Sequence, residues 1–302
     1  MFGLGLVLTI FGLIAAIKLH SPDFLGSCEW LTYGRVHPIF IDAFIYGWGN
    51  NAVFAVGLWV MARLCGTRVR HMGILYVAGA FWNLGVLWGI VSILLGAQTS
   101  VAWLDMPMQV GLLLVFSYGA IAVWGILCFH YRQAGSTYVS QWYLLAALFW
   151  FGWIYFVAQL MVLYFPVRGV VQSIVDAWYV NNVMDLWFTP VAVAVTYYLL
   201  PKILGKPLAG YYLAILGFWA YALFASWAGM KQLVWGPVPV WLHMLRGMAL
   251  SGSEYPFASV DSTDVARNHN RPHNDALQMA LRWDGKQCPA RWTYREQLEL
   301  AG

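Results

Sequence analysis

Apolar residues in this chain run in long blocks separated by short polar stretches, near 1–18, 39–63, 73–95, 107–130, 140–165, 180–200 and 209–230. A helix needs roughly 20 such residues to cross a bilayer. The pattern therefore predicts an all-α fold, a polytopic transmembrane helical bundle of about seven helices. An eighth stretch, 233–250, is interrupted by Pro237 and Pro239 and carries His243 and Arg246. It is too short and too polar for a further crossing and is read as an interfacial segment. From Ser251 the character changes: seven acidic residues, six basic residues and two histidines follow, with no membrane-length apolar run. Three regions result, a transmembrane bundle over 1–232, the interfacial segment 233–250 and a polar tail over 251–302.

Composition supports the same reading. Hydrophobic residues make up 61% of the chain, charged ones only 10%, and the mean hydropathy is +0.63. Soluble domains carry about a quarter charged residues, so a water-soluble globule is excluded and the bilayer is the first partner. The 18 Trp and 17 Tyr suit many membrane–water boundaries. A scattered net charge of +4 gives nucleic acid nothing to bind. With the N-terminus in the cytoplasm, Arg63, Arg68, Arg70, Arg132, Lys202 and Lys206 lie inside, and Lys18, Arg35, Arg168 and Lys231 outside. That modest excess follows the positive-inside rule. The first block has no basic residue before it and no clear small-residue cleavage site after it, so it reads as a retained anchor; a start further upstream is the alternative.

Cys28, Cys65, Cys128 and Cys288 form no metal or haem-attachment spacing, and the expectation is four isolated, inert thiols; a Cys28–Cys288 bridge is the alternative if both lie outside the membrane. The two histidines of Arg267-Asn268-His269-Asn270-Arg271-Pro272-His273 are separated by a helix-breaking proline and belong to a solvated loop. Two carboxylates fall within the apolar blocks, Asp42 and Asp185. Such groups are costly in a bilayer and are functional candidates by default. They are possible proton or polar sites; the plainer reading has each accepting hydrogen bonds that fix packing. Asn50, Asn51, Asn83, Asn181 and Asn182 are expected to tie helices together. His20, His37, His71, His130 and His243 all fall in loops, at helix ends or in the interfacial segment, so none is expected at mid-membrane.

Longer strings go beyond composition. Leu31-Thr32-Tyr33-Gly34-Arg35-Val36-His37-Pro38 and Ala43-Phe44-Ile45-Tyr46-Gly47-Trp48-Gly49-Asn50-Asn51-Ala52 resemble the second helix of catalytic subunit I of the cbb3-type cytochrome c oxidases, a branch of the haem–copper oxidases. Trp178-Tyr179-Val180-Asn181-Asn182, Tyr197-Tyr198-Leu199-Leu200-Pro201-Lys202, Phe218-Trp219 and Trp227-Ala228-Gly229 are similar to its sixth and seventh helices, in the same order. The likeness covers about residues 1–245, the first half of that family's chain.

The resemblance implies a haem–copper oxidase subunit I-like bundle in a bacterial-type inner (plasma) membrane, working in respiratory electron transport beside other membrane or cytochrome subunits. It also implies departures at the metal ligands. Where the family reads G-R-L-R-P-L-H, this chain has Phe40 in place of the haem-binding imidazole. Where the family places copper imidazoles, it has Asn181, Lys231 and Gln232, and the family's tyrosine corresponds to Ala225. A phenyl ring, two amides and an ammonium are poor partners for iron and copper. No catalytic, haem-binding or copper-binding residue is therefore expected in this chain, and no cofactor bound by it. Three alternatives stay open: a catalytic oxidase subunit holding haem b and copper through unusual or partner-supplied ligands, a proton or ion pathway through Asp42 and Asp185, and a degenerate or frameshifted product.

Overall fold

The computed structural model describes residues 2–66, 72–133, 137–204, 211–227 and 239–253. All regular structure among these residues is helical. Six helices are long and apolar enough to cross a membrane: Gly3–His20, Tyr33–Cys65, Met72–Leu94, Met108–His130, Val139–Tyr164 and Val170–Ile203, hereafter spans one to six. The seventh predicted block forms a shorter helix, Tyr211–Phe224. Part of the expected interfacial segment is a helix, Val240–Ser253, which packs on the seventh. Cys288, Lys231, Gln232 and the tail histidines lie outside the described residues.

Sequence neighbours are neighbours in space: span one packs on two, three on four, and five on six. Span two also touches spans three, four, five and six, which makes it the axis of the bundle. Its outward neighbours present large apolar side chains such as Phe116, Phe149 and Trp153 to the surroundings. Such a surface would be a liability in water and is what lipid requires.

Of the prolines within spans, Pro38 and Pro190 are accommodated locally. Pro38 has no N–H to give the Gly34 carbonyl four residues earlier, and the Gln98 side-chain amide donates to that carbonyl instead, at 3.3 Å. Pro190 follows a widened π turn, Met184–Phe188, that relaxes the backbone just ahead of the ring. Span two contains a second π segment, Ala43–Gly49, and span five ends in a third, Leu160–Tyr164.

The connection between spans three and four folds back over one end of the bundle. Arg35 donates to the Leu94 carbonyl at 2.9 Å, Gly96 turns with φ +90°, and Thr99 donates to the Leu104 carbonyl at 2.6 Å. Val101, Leu104 and Met106 are buried beneath it. At the opposite end, the Gln133 N–H donates to the Cys65 carbonyl at 3.1 Å. There the thiols of Cys65 and Cys128 meet in a hydrogen bond, so these two cysteines are a pair and not isolated as the sequence suggested. Spans two and four run together to this end, which no spacing in the sequence reveals.

Candidate functional site

Spans two to six each send one large aromatic side chain to a common level. Phe54 meets Trp82 edge-on with 5.3 Å between centroids, and Trp187 stacks on Phe151 at 4.8 Å. Tyr118 closes the group against Phe151 at 4.8 Å and Trp187 at 5.7 Å. Rings of this size fill space that several aliphatic chains would otherwise fill, and edge-to-face pairs add modest attraction. The indole N–H of Trp187 donates to the Asn50 amide oxygen, and that of Trp82 to the Tyr46 carbonyl at 2.9 Å.

On the side of this layer nearer the folded-back connection lies a buried polar cluster. Asp42 has 0% of its surface exposed and neither carboxylate oxygen has a hydrogen-bond partner. Tyr46 stands one turn further along span two. Its hydroxyl is bonded to that of Tyr179 and donates to the Trp103 carbonyl at 2.6 Å. Tyr155 packs edge-on to Tyr46 at 5.8 Å and accepts from the Gln159 amide N–H, while the Gln159 Oε1 has no partner. A Cβ at Gly111 would fall 2.7 Å from the Gln159 amide, so the glycine is what lets that amide approach span four.

The connection is tied to the cluster at two points. The Ala102 N–H donates to Asp176 of span six, and Trp103 adopts φ +64° to turn its carbonyl toward Tyr46. A left-handed backbone at a residue other than glycine is strained and persists only where its surroundings hold it. Asp105 follows, half-buried, with Asp176 close enough to act on its charge. Burial pushes the Asp105 carboxyl up to about 6; backbone N–H donation from Trp103 and from Asp105 itself works against the rise, and the negative charge of Asp176 adds to it.

The folded protein thus holds the Asp105 proton more tightly than an unfolded chain does, whose aspartates titrate near about 4. Stability from this group is present at low pH and is lost as pH rises through about 4 to 6. Asp105→Asn should raise the Tm at pH 7 and flatten its pH dependence between these values. Thermal unfolding of both proteins in the same detergent across that range checks it.

The carboxylates singled out from sequence are not brought together. Asp185 sits in the π turn of span six, accepts from the Asn181 amide at 2.6 Å, and receives the Tyr221 hydroxyl on its backbone carbonyl. Asp42 faces Tyr46, Tyr155, Tyr179 and Asp105 instead. The asparagines do tie helices: Asn51 and Asn83 exchange reciprocal bonds of 2.9 and 3.2 Å between spans two and three, and Asn182 reaches the Ser226 carbonyl at 3.5 Å. Asp105 and Asp176 were missed by sequence reasoning. Asp176 lay outside the block predicted to begin near 180, whereas the helix starts at Val170.

Of the positions implied to differ from the family's metal ligands, Phe40 and Asn181 are among the described residues, and so are His37 and Ala225. Phe40 is half-buried against span one, where a Cβ at Gly12 would come within 2.8 Å of its ring. His37 is exposed and lies beside Tyr33, with centroids 5.5 Å apart. Ala225 is buried. Among the described residues, no group of three or more His, Cys, Asp or Glu side chains is placed to hold a metal ion.

The family model described as cytochrome c and quinol oxidase polypeptide I matches residues 1–257. The cbb3-type cytochrome c oxidase subunit CcoN1 of Stutzerimonas stutzeri is 27% identical over 248 residues, covering 80% of this chain and 52% of the relative. A cytochrome c oxidase subunit 1 homolog of Agrobacterium tumefaciens is 27% identical over 257 residues, covering 82% and 47%. The bacteroid homolog of Bradyrhizobium diazoefficiens is 26% identical over 259 residues, covering 80% and 45%. The chain spans about half the length of these relatives.

Proposed function

The chain belongs to the cytochrome c and quinol oxidase polypeptide I family, an integral protein of the bacterial plasma membrane, and from that premise we propose that it serves as a subunit I-like bundle within a respiratory assembly without itself binding haem or copper. Its relatives are named as oxidase subunits, so other membrane or cytochrome subunits are its natural partners. The observation that carries the reading is Phe40. The ring stands where the resemblance expects a haem-binding imidazole and is packed closely on span one. Asn181 supports it from the copper side: an amide stands where the resemblance expects an imidazole, and its N–H donates to Asp185. Iron and copper sites of this kind require imidazole or thiolate donors, and an amide and a phenyl ring supply neither.

The bundle would then contribute shape and an apolar surface. Its polar contacts, such as the Asn51–Asn83 pair, hold helices together and ask for no metal. Absorption spectroscopy and metal analysis of the protein purified from its own membrane provide the test. The expected result is cytochrome subunits that co-purify with the chain in gentle detergent and, once the chain is separated from them, no Soret band and iron and copper far below one per chain. Stoichiometric haem in the isolated chain overturns the proposal. Haem ligated by this chain only within the complex favours partner-supplied ligands and overturns it equally.

A further inference from the structure

We propose that Asp42 is a proton-binding site that exchanges with the aqueous phase only at the end of the bundle covered by Asp105 and Asp176, the aromatic layer closing it toward the other end. The inference needs no redox centre and stands apart from the reading above.

Three observations carry it. The first is the state of Asp42: a fully buried carboxyl in a membrane-spanning helix, with both oxygens unpartnered. An ionised carboxylate left there is strongly disfavoured, whereas the protonated acid removes most of that penalty. Neither nearby cation compensates it. Arg35, on the same helix, is engaged with the Leu94 carbonyl, and Lys18 of span one with the Phe24 carbonyl at 2.6 Å.

The second is the set of groups around Asp42 and on toward the end of the bundle. Asp105 of the connection acts directly on the Asp42 charge. Tyr46 of span two, Tyr155 of span five and Tyr179 of span six all feel it too. Asp176 acts on both Asp105 and Tyr179, and Tyr164 acts on Tyr155. Unpartnered buried oxygens gather in this region, on Gln159, Tyr164 and Asp176 as well as Asp42, with others on Tyr143 and Asn182. Buried polar atoms left unmatched in a folded protein call for an explanation, and a shared, exchangeable proton supplies one. A metal ion does not, because no three His, Cys, Asp or Glu side chains converge among the described residues.

The third is the far side. Beyond Tyr46 come Trp82, Phe54, Tyr118, Phe151 and Trp187, packed ring to ring. The Tyr118 hydroxyl is committed to the Leu148 carbonyl at 2.7 Å, and the Trp187 N–H to Asn50. Tyr143, Tyr197 and Tyr221 form a separate group of ionisable side chains, with the Tyr221 hydroxyl on the Asp185 carbonyl; the layer's own polar atoms are spent and give the Asp42 cluster no link to it, so the site fills and empties from one end. On release the Asp42 O–H bond breaks, the proton leaves to water by way of Asp105, and a carboxylate remains. Uptake reverses the step.

The test is infrared difference spectroscopy of the full-length protein in lipid nanodiscs after a pH jump, with aspartate carrying a carbon-13 carboxyl. The expected result is a carboxylic-acid carbonyl band that responds to pH, moves with the aspartate label, vanishes in Asp42→Asn and persists in Asp185→Asn. Should Asp42→Asn not fold, Asp42→Glu serves: its band remains but no longer moves with labelled aspartate. Asp105→Asn should slow the response several-fold. In proteoliposomes loaded with a pH dye, the parent should carry no proton current. A band that survives both Asp42 substitutions unchanged, a response rate indifferent to Asp105, or a sustained proton current through the parent each overturns the proposal.

Discussion

Replacing Trp187 with alanine should destabilise the protein by about 3–5 kcal/mol, the range for large aromatic side chains removed from packed cores. The indole is almost wholly buried and touches Phe54, Tyr118 and Phe151, which come from three other spans. The ring neighbours are rigid and largely packed against one another, so the gap closes only as far as the aliphatic side chains beside the indole, such as Leu148 and Val191, can shift. Trp187→Phe separates packing from hydrogen bonding. It keeps a ring but leaves the Asn50 amide oxygen buried without a donor, and about 1–3 kcal/mol is expected from that alone. Adding Asn50→Leu removes the stranded group, so the double variant should be more stable than Trp187→Phe by itself. Denaturant unfolding in detergent, followed by circular dichroism, measures all three. A Trp187→Ala loss below about 1 kcal/mol would show that the aromatic layer is loosely packed.

Gly49→Ala should cost about 3 kcal/mol, at the upper end of overpacking effects, even though alanine is the better helix former by about 1 kcal/mol. The π segment Ala43–Gly49 brings a backbone atom against the glycine: a Cβ there would lie 2.7 Å from the Phe44 carbonyl oxygen and 3.0 Å from the Phe188 ring. A flexible side chain could swing aside, but a carbonyl within a helix cannot. Gly119 is the control, since a Cβ there meets nothing within 4 Å, and Gly119→Ala should be neutral or slightly stabilising. The same unfolding experiment decides it. Equal stabilities for the two variants would mean that the widened turn relaxes to an ordinary α-helix at little cost.

Sequence reading recovered the spans because their length in apolar residues is set by bilayer thickness, which leaves little freedom. It misplaced two starts for an opposite reason. Residues 33–38 and 170–179 include Arg35, Pro38, Gln172 and Asp176, which lower the apolar signal although they belong to helices. Asp42 was visible as an isolated carboxylate in an apolar run. Its surroundings were not, because Asp105, Trp103 and Asp176 are distant in sequence and meet only through the fold of the connection between spans three and four. The π segments left no periodic trace, since one residue more per turn is invisible against a helix apolar on every side. The Cys65–Cys128 contact was illegible likewise: it depends on where two spans end together.

Depth gives Asp42 a further property. The 10 helical residues Tyr33–Asp42 advance roughly 15 Å along the span, an appreciable part of a hydrocarbon layer about 30 Å thick. A charge carried across the whole layer exchanges about 2.3 kcal/mol with each 100 mV of membrane potential, and one carried to Asp42 exchanges a fraction of it. The occupancy of that carboxyl is therefore tied to cellular energisation as well as to acidity: polarising the membrane shifts it, and collapsing the gradient with an ionophore resets it.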